Sequence, residues 1–69
     1  MSIHVFKTSI EPKDIKTVNT ILRALIPHCK WNFDLEDCDN ILRIESRKNI
    51  AELITFHLKI EGFDCQELQ

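Results

Sequence analysis

Trp31-Asn32-Phe33-Asp34-Leu35-Glu36-Asp37-Cys38-Asp39-Asn40-Ile41-Leu42-Arg43-Ile44-Glu45-Ser46 occupies the middle of the chain and reads as two strands joined by a turn. Trp31, Phe33 and Leu35 alternate with Asn32, Asp34 and Glu36, and Leu42, Ile44 and Ser46 alternate with Arg43 and Glu45. Successive strand side chains point to opposite faces, so each run has one face for a core and one for water. Asp37-Cys38-Asp39-Asn40 is a cluster of turn formers, which makes the pair a hairpin.

On either side of this hairpin lies a helical pattern. Upstream, Ile15, Val18, Ile21, Leu22, Leu25 and Ile26 fall on one stripe at about 100° per residue, with Lys16, Thr17, Asn19, Thr20 and Arg23 opposite. Pro12 suits the first helical turn, Asp14 complements its positive end, and Pro27 stops the helix. Downstream, Asn49 is the expected N-cap of a helix from about Ile50 to Glu61, closed by Gly62 at a left-handed position. Its apolar arc is Ile50, Leu53, Ile54, Phe56, Leu58 and Ile60.

The outermost segments are strands. Ile3 to Ile10 places Phe6, Thr8 and Ile10 on one side and Ile3 and Val5 on the other; Phe63 to Leu68 is a short fourth strand, expected at an edge. One sheet with both helices on one face buries every apolar stripe, and right-handed crossovers then give strand order 4-1-3-2. The expected class is therefore α+β: a ferredoxin-like βαββαβ sandwich with a four-stranded antiparallel sheet. Residues 1–69 form one domain, with no repeat or linker to divide them.

Composition narrows the function classes. A chain that is 43% hydrophobic and 29% charged, with one Gly and two Pro, is ordered and globular rather than disordered. A net charge of -2 gives no general attraction to phosphate backbones or anionic lipid, so neither nucleic acid nor membrane is an expected partner. No apolar run approaches the roughly 20 residues of a bilayer span, and Met1 to Lys7 lacks the core of a signal peptide. The expected location is cytoplasmic. Cys29, Cys38 and Cys65 are odd in number and widely spaced, as reduced thiols are rather than a disulfide framework.

Phe6-Lys7-Thr8-Ser9-Ile10 leading into a helix, Trp31-Asn32-Phe33-Asp34-Leu35, Ile41-Leu42-Arg43-Ile44-Glu45 and the helix exit Glu61-Gly62-Phe63 together resemble a heavy-metal-associated domain, the module of copper chaperones and metal-pumping ATPases. The resemblance implies a C-x-x-C metal loop after the first strand. Here that stretch is Glu11-Pro12-Lys13-Asp14, a degenerate metal loop one residue shorter than the family's. Proline has no ligating atom, lysine is a cation and carboxylates are hard ligands, so no soft-metal role transfers to these positions.

Other residues could hold ligands. Cys38, Cys65, His28 and Cys29 are the candidates for a relocated metal site, although Cys38 and Cys65 fall on opposite edges of the expected sheet and His28-Cys29 at its far end. The ordinary reading takes Cys65 as a small apolar residue and the other two as incidental thiols. Arg47 and Lys48, ahead of the second helix, could hold a phosphate or carboxylate, or could simply be solvated beside a capped helix. His57 falls inside the apolar arc, as a ligand-contacting imidazole or a partly buried neutral one. Glu36, Asp37 and Asp39 gather at the hairpin end; Lys30, Arg47, Lys48 and His28 gather at the other.

No glycine-rich phosphate loop, nucleophile elbow or recognisable Cys/His pair occurs, so an enzyme is not expected and no cofactor is implied. The open sheet face would carry Asn32, Asp34, Arg43 and Glu45 rather than RNA-stacking aromatics. The leading expectation is a non-catalytic protein-interaction module that has lost its metal site, with a homodimer through the second or fourth strand as one form of it. The alternative is a soft-metal (Cu/Zn) carrier using Cys38, Cys65, His28 or Cys29.

Overall fold

The computed structural model describes residues 2–36 and 38–68. Strand β1 (Ser2–Thr8) leads through a single 3-10 turn (Pro12–Asp14) into helix α1 (Ile15–Leu25). Strands β2 (Lys30–Asp34) and β3 (Ile41–Ser46) form the hairpin, and helix α2 (Ala51–Ile60) and strand β4 (Cys65–Leu68) complete the chain. The four strands make one antiparallel sheet in the order β2-β3-β1-β4, which is the expected order read from the other edge.

Register explains which side chains are buried. Phe6 pairs with Leu42, His4 with Ile44, Thr8 with Cys65, and Trp31 and Phe33 with Ile44 and Leu42, so these residues share one face. Phe6, Leu42 and Ile44 from that face join Val18 and Leu22 of α1 and Ile54 and Leu58 of α2 in a single apolar cluster. Both helices therefore cover the same side of the sheet. Trp31 extends the packing with a polar tie: its indole N–H donates to Asn19 Oδ1 on α1 at 2.9 Å.

The segment boundaries shift in informative ways. Regular pairing of β1 stops at Thr8 rather than Ile10, because the Thr8 hydroxyl accepts from the Ile10 N–H and turns the chain; Ile10 itself is wholly buried. β4 begins at Cys65, since Phe63 belongs to the α2 exit. There Gly62 (φ +95°) and Phe63 donate to the carbonyls of Lys59 and Leu58, a Schellman closure. The N-cap position falls on Ile50 rather than on Asn49, because regular helix starts only at Ala51; Asn49 sits one residue ahead and accepts the Ala51 N–H at 3.2 Å, an Asx-type turn into the helix.

One expectation is corrected. The six-residue apolar arc assigned to α2 does not all face the core: Ile50, Ile54 and Leu58 are buried, whereas Phe56 and Ile60 are each 61% exposed and Leu53 39%. At about 100° per residue these residues occupy two separate faces of the helix. Only one can meet the sheet.

Candidate functional site

The turn that replaces the metal loop is closed on itself. The Asp14 N–H donates to the Glu11 carbonyl at 2.8 Å, and the Glu11 N–H donates to Asp14 Oδ2 at 3.0 Å. Lys13 Nζ lies 3.4 Å from Glu11 Oε2. Glu11 and Asp14 thus cap the turn reciprocally, Lys13 forms an exposed ion pair with Glu11, and Pro12 fixes the first turn position. This arrangement offers no pair of soft donors.

The candidate thiols lie at opposite ends of the sheet. Cys65 is paired with Thr8, whose N–H donates to the Asp39 carbonyl in the hairpin turn beside Cys38. His28 and Cys29 lie beyond α1, beside the start of β2, so about the 20 Å length of a seven-residue strand separates the two groups. None of the cysteines is in a disulfide. Among the described residues no group of three or more His, Cys, Asp or Glu side chains is placed to hold a metal ion. Cys65 is buried, and burial pushes its thiol pKa up, against smaller downward effects of a Thr55 hydrogen bond and the Lys59 charge. It packs as a small apolar residue.

The acidic end is partly neutralised, Asp39 Oδ1 lying 3.6 Å from Lys7 Nζ; Asp37 of that cluster lies outside the described residues. At the other end, where the expected topology already gathers His28 with Arg47 and Lys48, the structure joins them and Cys29 in one groove. His28 and Cys29 from the α1 exit line the same groove, of about 550 Å³, as Arg47 and Lys48 from the β3–α2 connection. Its floor is apolar, with Leu25, Ile26 and Ile50. The nearby amides already have partners: the Lys48 N–H donates to Ser46 Oγ and the Ala51 N–H to Asn49 Oδ1. Glu45, which also lines the groove, offsets part of the positive charge.

Comparison with known proteins adds no further constraint. No family model, curated protein or solved structure matches the chain. The site must be read from its own residues.

Two features escape the sequence patterns. The first is the outward face of α2, where Leu53, Phe56 and Ile60 stand at spacings of three and four. His57 is half-buried beside them, its ring edge-on to Phe56 with centroids 5.4 Å apart. A shallow groove of about 640 Å³ runs alongside, lined by Leu53, Thr55, Phe56, Lys59 and Glu67. The second is His4, on the core face of β1, whose Nδ1 lies 3.1 Å from Glu67 Oε2. The alternation that places Phe6 and Thr8 inward includes His4 as well, so that signal was present in the sequence. Among the described residues no helix is long and apolar enough to cross a membrane.

Proposed function

We propose that this domain is a non-catalytic protein-interaction module of ferredoxin-like architecture, similar to heavy-metal-associated domains but without their metal loop. The observation that carries this reading is the outward face of α2. Three large apolar side chains stand in a row on the solvent side of a helix whose opposite side already fills the core. Contiguous exposed apolar surface of this kind marks interaction sites, since leaving it in water is unfavourable by about 25 cal/mol per Å².

The self-capped Glu11–Asp14 turn supports the same reading, because the position that carries thiolates in the metal-binding family is occupied by groups engaged with one another. The odd number and wide spacing of the three cysteines, unlike a disulfide framework, support a cytoplasmic setting. The test has two arms. Affinity capture with the wild-type chain and with Phe56→Asp should show partner recovery that the substitution abolishes. Titration with Cu(I) and Zn(II) should show no stoichiometric complex; tight binding lost on cysteine-to-serine replacement would overturn the reading in favour of a metal carrier.

A further inference from the structure

We propose that the outward face of α2 docks against the same face of a second copy of this chain, the two helices running antiparallel about a two-fold axis beside Phe56. This rests on the interaction-module reading and names its partner. The argument is one of charge and register. Leu53, Phe56 and Ile60 form a seam at the three-four spacing by which helices pack together. On one flank of that seam stand Glu52 and Lys59, both exposed and seven positions apart.

In an antiparallel pair the same flank of each helix meets across the axis. An axis at Phe56 sets Phe56 against its symmetry mate and brings Leu53 within about one residue's rise of Ile60 of the second copy, and Glu52 within the same distance of Lys59 of the second copy. The apolar and the charged pairings centre half a residue to either side of Phe56, so one axis there accommodates both within about 1.5 Å along the helix. Two reciprocal opposite-charge contacts then flank the seam, whereas a parallel alignment pairs neither residue with an opposite charge.

The sheet edges are poorer sites for self-association. β4 has only four residues, and β2 carries Lys30 and Asp34 at its ends, devices that discourage strand addition. A seam of two helical turns falls below the roughly 1,200 Å² of a standard interface, so dissociation constants of roughly 10 µM to 1 mM are expected.

Sedimentation equilibrium from about 10 µM to about 1 mM tests the proposal. The wild-type mass should rise from 8.1 kDa toward twice that value, while Phe56→Asp stays at 8.1 kDa throughout. Glu52→Lys and Lys59→Glu should each weaken association roughly tenfold, and the double swap should restore it. Circular dichroism melts check that each variant is folded, which the exposure of all three positions favours. A wild type that is monomeric at the highest concentration, a dimer indifferent to Phe56→Asp, or a double swap that fails to recover would each overturn the proposal. Monomeric wild type with Phe56-dependent capture of another protein overturns only the second copy as partner; monomer without such capture overturns the interaction-module reading as well.

Discussion

His4 on β1 and Glu67 on β4 are joined by a 3.1 Å contact between Nδ1 and Oε2, while Nε2 of the same imidazole is buried without a hydrogen-bond partner. The His4 side chain is 13% exposed, so the carboxylate is what satisfies an otherwise isolated ring. Glu67→Ala leaves both ring nitrogens unpaired and is expected to cost about 1–2 kcal/mol at neutral pH, the penalty for an orphaned polar group. In a His4→Phe background the same replacement should cost less than about 0.5 kcal/mol, because the group needing a partner is gone. Urea denaturation of the four chains measures this. Equal costs in the two backgrounds would remove the coupling.

Thr8 performs two tasks with one hydroxyl. Its Oγ1 donates to the Asn40 carbonyl and accepts the Ile10 N–H, tying the end of β1 to both the hairpin turn and its own exit. Asn40 holds φ at 47°, a left-handed conformation that asparagine tolerates, so the carbonyl position depends on this turn. Thr8→Val preserves shape but orphans a buried amide, with an expected loss of about 2 kcal/mol. Thr8→Ser keeps both bonds and removes only a methyl, for about 1 kcal/mol. Chemical denaturation should therefore rank serine above valine.

The cysteines should differ in reactivity as they differ in environment. Cys38 is exposed, Cys29 half-buried and Cys65 buried, so a thiol reagent should label them in that order in the folded protein. Burial raises the Cys65 pKa above the unfolded value, so between the two values the folded state holds a proton that the unfolded chain has lost. Stability contributed by the protonated thiol is complete below about pH 9 and declines as pH rises beyond it. In denaturation series at increasing alkaline pH, Cys65→Ala should show a shallower decline than the wild type. Parallel declines would dismiss any role for this thiol.

Much of the scaffold could be read from local pattern because its rules are local. Alternation assigned Phe6, Thr8, Leu42 and Ile44 to one face, and Pro27 and Gly62 ended the helices where backbone chemistry requires. α2 was harder. Ile50, Leu53, Ile54, Phe56, Leu58 and Ile60 span more than one side of a ten-residue helix, and periodicity alone cannot say which side meets the sheet. The register of the neighbouring strands decides it. That His28, Arg47 and Lys48 share one end of the sheet follows from the strand order, whereas the groove that they line together with Cys29 is tertiary, arising where the α1 exit meets the β3–α2 connection. His4 lies on the same alternation as Phe6 and Thr8, but alternation alone does not pair an imidazole with Glu67, which the β1–β4 register brings to it.

Gly62 offers a clean separation of backbone strain from packing. Its φ of +95° lies where L side chains are disfavoured, yet a Cβ built there meets nothing within 4 Å. Gly62→Ala should therefore destabilise through backbone conformation alone, by about 1 kcal/mol. For a domain of this size that lowers the melting temperature by roughly 4–8 °C. Because Gly62 and Phe63 donate to Lys59 and Leu58, relaxing φ would also release two carbonyls at the end of α2. A chemically synthesised chain with D-alanine at position 62 favours positive φ and has the same open space, so it should melt no lower than the wild type. If the D and L forms melt alike, the left-handed closure does not exist in solution.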